Sequence, residues 1–405
     1  MTVEAAAEGA LRDALDELAR GGRALRARSR ESIAASLADA WERIADPERA
    51  LGRAAREQLP ESAGLTLPMV AWTLTSTLHD IRAQLGALAA AMGPPAGARE
   101  APPALGTLIL AGNVYSACVQ PLSVALLSRV PVLVKASSAD DVMPRLFAEA
   151  LEEVDPDLAG ACLVVSLPRG TPNLEATILS RAGVVSVYGG DETLKSVRNR
   201  LSPNTAFIAH GHGLGLGWVD ESASLDDAAS SLAIDVAAYD QRGCLSPHAI
   251  GVAGDRRAAD FASALAGELD ALAHELPRGP LPMDVGAAQL QWRGVAVARG
   301  TLLEGDGWAV SEEGAVAPRL SPGARNVMVF SVPDVSVFAA HAGHLGTHLK
   351  AIGVAGDRAA LAAALPPGVA PRLVPAGAMQ TPSLLAYADG LPPWEGWRRF
   401  VTLEG

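Results

Sequence analysis

Between residues 105 and 210 the chain repeats one pattern: a short apolar run, a break, then a stretch with helical spacing. The runs are 105–110, 130–134, 161–166, 184–188 and 206–210, with helical segments at about 119–128 and 143–153 and another opening at Asp191. Runs of about five apolar residues without polar alternation fit strands covered on both faces, and parallel strands need helical crossovers. The pattern therefore specifies an α/β fold with a doubly wound parallel sheet. At about Gly217 a second cycle begins, with Leu225, Ala229, Leu232 and Val236 on one helix face, then a loop and a strand through Ile250. Helix and strand patterns alternate onward to about Pro371.

Ahead of the alternation lie about ninety residues of helical character. Ser29 is placed to cap a helix in which Ile33, Leu37, Trp41 and Ile44 share a face, and a second helical pattern covers 67–92. Gly93-Pro94-Pro95-Ala96-Gly97 and Pro102-Pro103 then break the periodicity and mark a linker. At about 150 residues per domain, 405 residues suggest two or three domains.

Composition narrows the function. A net charge of -12 with no basic face argues against a nucleic-acid partner. Residues 101–128 carry no charge, yet Pro102, Pro103, Gly106, Gly112, Asn113, Gln120 and Pro121 interrupt them, so we expect strand, loop and helix rather than a membrane span. The start lacks a basic region followed by an apolar one, so a secretory signal is not expected and the cytoplasm is. Cys118, Cys162 and Cys244 make no CxxC and no even-numbered framework, which excludes a disulfide scaffold and a thiolate zinc site. His341, His344 and His348 are spaced to share a helix face. No acidic residue lies between Asp334 and Asp357 to complete a site locally, so no metal is expected.

Cys244 is the residue with the most chemistry. It sits in a Gly-Cys-Leu-Ser-Pro loop between a helical and a strand pattern, where a side chain can face a cleft. A thiolate is strongly nucleophilic near neutral pH without a metal. The alternative is a small buried hydrophobe, the common state of a free cysteine. Cys118 and Cys162 lie in apolar segments and belong to the core. Lys135, Lys195 and Lys350 are the chain's only lysines in an arginine-rich background, which gives each a slight prior for a role needing a compact ammonium.

The segment Tyr239-Asp240-Gln241-Arg242-Gly243-Cys244-Leu245-Ser246-Pro247 resembles the active-site segment of LuxC-type acyl-CoA reductases, a branch of the aldehyde dehydrogenase superfamily. Leu110-Ala111-Gly112-Asn113-Val114, Tyr188-Gly189-Gly190-Asp191-Glu192, Met379-Gln380-Thr381-Pro382 and Asp389-Gly390 also resemble that branch, in order, from about residue 105 to the end. The first hundred residues fit it only in helical character. The resemblance implies an aldehyde dehydrogenase-like fold divided at 1–100 (helical N-terminal part of the cofactor-binding domain), 101–216 (Rossmann-like cofactor domain), 217–372 (second α/β domain with the catalytic Cys) and 373–405 (C-terminal return and a candidate oligomerisation strand). It implies a homo-oligomer.

It further implies reduction of an acyl-CoA or acyl-carrier thioester to the aldehyde by NADPH or NADH. Cys244 would attack the acyl carbon, and the Asn113 amide with the Cys244 backbone N–H would hold the oxyanion. Lys135 would contact the adenosine ribose, with Ser137 near a 2′-phosphate. Gly189 and Gly190 form a strand-to-helix turn suited to close approach of a pyrophosphate, although Asp191 and Glu192 would repel phosphate at short range. No carboxylate lies between Glu192 and Asp220, so the water-activating glutamate of hydrolytic members is missing there, which suits a thioester enzyme. His210 and His248 are candidates for moving the thiol proton; each is also readable as a satisfied loop histidine. Other superfamily chemistry, a semialdehyde or acyl-phosphate reductase, and a non-catalytic member are the alternatives.

Overall fold

A computed structural model describes residues 3–137, 140–167 and 170–404. The first ninety residues form five helices. Ser29 accepts the Ser32 N–H at 3.1 Å and opens the helix Arg30–Ala45, whose buried stripe is Ile33, Leu37, Trp41 and Ile44. The continuous helix expected over 67–92 is instead two, Leu67–Thr77 and Ile81–Ala91. Asp80 adopts φ 49° between them, which a right-handed helix cannot contain. Trp41 stacks on Phe147 of the helix Val142–Val154 with ring centroids 4.2 Å apart. One core joins this layer to Leu108 and Val134 of the neighbouring sheet.

β1 (Ala98–Glu100) leads into the first sheet, made of β2 (Gly106–Ile109), β3 (Val132–Ala136), β4 (Cys162–Ser166), β5 (Val184–Tyr188) and β6 (Ala206–His210). All neighbours are parallel and the order is β4-β3-β2-β5-β6. The second sheet holds β7 (Leu214–Val219), β8 (Pro247–Ala253), β9 (Thr301–Gly305), β10 (Trp308–Glu312), β11 (Asn326–Val332), β12 (Leu349–Ala355) and β13 (Arg372–Pro375). Its order is β13-β12-β7-β8-β11-β10-β9, parallel except for the β9–β10 hairpin. β7 begins at Leu214, so the expected division at 216/217 falls inside a strand, and β13 carries the second sheet past residue 372. The boundary is hard to see in sequence because the glycines at 211, 213, 215 and 217 run through the connection and the strand alike.

The terminal strand β14 (Phe400–Thr402) pairs antiparallel with β1 of its own chain. The uncharged stretch from Ala101 becomes β2, a turn and the helix Val119–Leu127, and no described helix is long and apolar enough to cross a membrane. The histidine spacing at 341, 344 and 348 does not produce a shared helix face. The helix Val335–Gly343 stops before His344, Gly346 turns the chain at φ 52°, and His348 lies in a separate 3₁₀ turn. Among the described residues, no group of three or more His, Cys, Asp or Glu side chains is arranged to hold a metal.

Candidate active site

The first sheet winds outward from β2 through β3 to β4, then resumes on the other side with β5 and β6. That reversal makes the crevice between the carboxyl ends of β2 and β5 the natural ligand site of a doubly wound sheet. β2 runs into Leu110-Ala111-Gly112-Asn113, and β5 into Gly189-Gly190. A cavity of about 300 Å³ opens there, lined by Asn113, Tyr188, Gly189, Gly190, His210 and Cys244, among others. Asn113 is exposed, and its amide has no hydrogen-bond partner among the described residues. At Gly112 a Cβ would come within 2.7 Å of Ser137 Oγ. Only glycine lets that turn pass so close.

A second cavity of about 310 Å³ lies on the other side of the Gly189-Gly190 turn, lined by Lys135, Glu175, Glu192, Thr193 and Arg200, among others. Glu175 stands between two cations, 3.6 Å from Lys135 and 2.8 Å from Arg200. Gly190 caps the helix Asp191–Arg198, and residues of its first turn line this second cavity. Of the expected cofactor residues, Lys135 lines this second cavity and Gly189 and Gly190 line the first. Ser137 is the exception: it packs against Gly112 and is not among the described residues lining the Lys135 cavity.

Cys244 comes from the loop that joins the helix Leu225–Ala237 to β8. Earlier in the same loop, ahead of Arg242 and Gly243, Tyr239, Asp240 and Gln241 take φ of 54°, 51° and 62°. For residues with a Cβ this conformation costs roughly 1–2 kcal/mol each. Tyr239 anchors the loop across the cleft, its hydroxyl 2.6 Å from Ser116 Oγ and 3.0 Å from Thr77 Oγ1. Cys244 itself is exposed, while Cys118 is buried and Cys162 partly so. Burial pushes the Cys118 thiol well up and that of Cys162 up to about 12. The Cys244 thiol is also raised, chiefly by the walls around it, but Lys350 and Arg372 pull it down while Asp389 opposes them.

Lys350, Arg372 and Asp389 were not assigned roles from sequence, and the fold brings all three to the thiol. Lys350 Nζ lies 2.6 Å from Asp389 Oδ1, and its stem runs where a Cβ on Gly213 would collide with it. Its rarity as one of three lysines was the only signal. Gln380 is a further member. Its amide donates to Ser246 Oγ at 3.2 Å, and Asp235 fixes the same return segment by accepting the Gly377 and Met379 N–H groups at 2.7 and 2.9 Å. Burial pushes Asp235 up to about 7.

The two histidines separate. His210 lines the cleft with Cys244 and stacks on Tyr188 at 4.1 Å; burial pushes it down to about 4, so it is neutral at pH 7. His248 is turned to Ser321, its Nδ1 2.9 Å from the Ser321 carbonyl oxygen, and is not among the described residues lining the cleft. The side chain at β8's second position points where the sheet sends it, away from the loop four residues earlier. From Cys244 a third cavity, about 220 Å³, extends between Val119, Leu245, Pro382, Leu384 and Tyr387.

The role of Lys350 has a direct readout. In Lys350→Met one of the two cations that favour the thiolate is gone and Asp389 loses its ion-pair partner. Both changes raise the Cys244 pKa, so less thiolate exists at any fixed pH. Alkylation of Cys244 by iodoacetamide at pH 7 should slow by roughly tenfold or more, and its pH profile should move to higher pH. An unmoved profile would show that Lys350 does not act on the sulfur.

Two sheets of this order, with an exposed cysteine on a loop at the mouth of the first sheet's crevice, define the aldehyde dehydrogenase fold. Aldehyde dehydrogenase 21 from Physcomitrella patens, solved with succinate, is 12% identical, with a TM-score of 0.77 over 97% of this chain and 90% of that one. A putative methylmalonate-semialdehyde dehydrogenase from Sinorhizobium meliloti, solved with NAD, is 14% identical, with a TM-score of 0.73 over 97% and 89%. Within that fold the chain belongs to the acyl-CoA reductase (LuxC) family, whose model matches residues 96–393. A long-chain acyl-protein thioester reductase from Photorhabdus laumondii is 27% identical over 233 residues, 56% of this chain and 48% of that protein. The corresponding protein of Aliivibrio fischeri is 28% identical over 183 residues, 44% and 38%. The chain thus matches about half the length, or less, of these relatives.

Proposed function

We propose that the protein reduces an acyl thioester to the aldehyde with NADPH or NADH, through an acyl group carried on Cys244. One observation carries the reading. The exposed thiol stands where the crevice of the doubly wound sheet meets a separate cavity with apolar walls. A nucleophile there can take an acyl group from one side and have it reduced from the other.

The path from Lys135 past Gly190 to Asn113 fits a dinucleotide. A Cβ on Gly190 would meet nothing within 4 Å, so the turn faces open space, and the helix behind it directs N–H groups toward a pyrophosphate. When bound, the nicotinamide supplies the hydride. Lys135 then holds the far ribose, and Glu175 and Glu192 offer acceptors for its hydroxyls. At the other end the Cys244 thiolate forms a bond to the acyl carbon, while the carbon–sulfur bond to CoA or the carrier breaks and that thiolate leaves. Asn113 and the Cys244 N–H stabilise the negative oxygen at this step and again in the thiohemiacetal, whose carbon–sulfur bond breaks to release aldehyde and restore Cys244. We read His210, neutral and lining the same cleft, as the acceptor of the thiol proton, a weak one given its depressed basicity. In the cavity with apolar walls, Asp389 is the one carboxylate among the described lining residues, and it is already held by Lys350 rather than free to activate water.

The family description names acyl-CoA and the relatives' names an acyl group on protein, so both donors belong in the test. Purified protein is mixed with decanoyl-CoA, or with the decanoyl thioester of an acyl carrier protein, and with NADPH or NADH. At least one pairing should consume reduced cofactor and release aldehyde and free thiol in equal amounts. If no pairing does so, the reading fails.

A further inference from the structure

Three consecutive residues with side chains, Tyr239, Asp240 and Gln241, lie in the left-handed region two residues short of the nucleophile, with Arg242 and Gly243 between. Of the three only Asp240 is of a type that visits this conformation, and Tyr239 and Gln241 have no local reason to adopt it. Something outside the loop must hold it. Two buried contacts do, from Arg325, just ahead of β11, and from Asn326, its first residue. Asp240 and Arg325 are each about 2% exposed in their side chains and form an ion pair, with Arg325 Nε and Nη2 donating to Asp240 Oδ1 at 3.1 and 2.7 Å. The other oxygen, Oδ2, accepts the Gly279 N–H at 2.9 Å. Gln241, 3% exposed, acts as a surrogate peptide between two strands. Its Oε1 accepts the Asn326 N–H at 2.9 Å, and its Nε2 donates to the carbonyls of Asn326 and Pro247 at 2.8 and 2.7 Å. Asn326 and Pro247 are the first residues of β11 and β8, so the loop is registered to the sheet at its very edge.

We propose that Asp240, Gln241 and Arg325 are positioning residues, which lock the left-handed turn and thereby aim the Cys244 backbone N–H and thiol at the acyl carbon. The inference rests on the reading of Cys244 as the acyl acceptor. The chain has only three residues between Gln241 and Ser246 apart from Cys244 itself, and Ser246 is anchored too, by Gln380 and by a 2.8 Å bond from the Gly215 N–H to its carbonyl. With both ends fixed, the peptide plane that carries the Cys244 N–H has little freedom. Acyl transfer needs that N–H and the sulfur aligned together, because attack and oxyanion stabilisation occur on the same carbonyl. Alkylation by iodoacetamide needs only an exposed thiolate.

That difference supplies the test, run on the full-length protein. Arg325→Lys keeps a buried, paired cation but loses the two-pronged geometry, and Asp240→Asn removes the charge. Acylation of Cys244 by decanoyl-CoA, or by the decanoyl-carrier thioester, is followed by intact mass without reductant. Alkylation by iodoacetamide is followed in parallel. Acylation should fall several-fold in Arg325→Lys and at least about tenfold in Asp240→Asn. Alkylation of Cys244 should stay within about threefold of wild type, with Cys118 unlabelled as a mark of intact folding. If Asp240→Asn exposes Cys118, it is unfolding and Arg325→Lys alone decides. Undiminished acylation in the folded variant, or acylation and alkylation changing in the same proportion, overturns the positioning role. A wild type that takes no acyl group from either thioester overturns the reading of Cys244, and the inference with it.

Discussion

Cys244→Ser should lower thioester reduction by roughly 10³-fold or more, because nucleophile losses are of this order when the remaining site is intact. A serine hydroxyl is scarcely ionised near neutral pH, and no strong base faces it. His210 is kept neutral with a value near 4, and His248 is turned to Ser321. Without reductant, wild-type protein incubated with the thioester should gain the mass of one acyl group on the peptide containing Cys244. Cys118 and Cys162 should stay unmodified, since burial keeps both thiols protonated. Cofactor binding should survive, because Lys135 and the Gly189-Gly190 turn belong to the first sheet. The rate should climb as pH rises, since the thiolate is the active form and its pKa lies above the ordinary value. A Cys244→Ala protein that still turns over thioester at a substantial rate would refute the nucleophile assignment.

Asn113→Ala should lower kcat by roughly 10²–10³ with little change in KM, the usual cost of one oxyanion donor whose interaction strengthens only as charge develops. The substitution is a clean one. Asn113 is exposed and its amide holds nothing else among the described residues, so stability should move by no more than about 0.5 kcal/mol. Single-turnover acylation should slow with kcat, while alkylation of Cys244 should not, since the thiolate itself is untouched. Were KM to rise instead at constant kcat, Asn113 would be binding the substrate's ground state and the oxyanion role would belong elsewhere.

Much of the architecture was legible because burial imposes a period on sequence. Val184–Tyr188 and Ala206–His210 read as strands from their apolar runs, and the helix after Ser29 from its cap and its stripe, because each is dictated within a few residues. The break at Asp80 was not legible: an aspartate can join a helix or leave it, and only packing on both sides decides. The three histidines failed for a related reason, since the helix that their spacing assumed ends at Gly343 and Gly346 turns the chain before His348.

Within the site, the residues with distinctive chemistry, Cys244, Asn113, Lys135 and the Gly189-Gly190 turn, stood out in sequence, helped by their resemblance to a family. By itself the sequence determined which groups could react and which segments had to be strands of a buried parallel sheet, because both follow from side-chain chemistry and local periodicity. Only the tertiary structure decided which groups meet. Lys350, Arg372 and Asp389 reach Cys244 from strands and loops more than a hundred residues away, Ser137 turns to Gly112, and His248 faces Ser321. The left-handed turn before Cys244 is the sharpest case. Tyr239 and Gln241 have no local preference for that conformation, and the turn persists because Arg325 and Asn326, some eighty-five positions distant, are brought beside it by the pairing of β8 with β11.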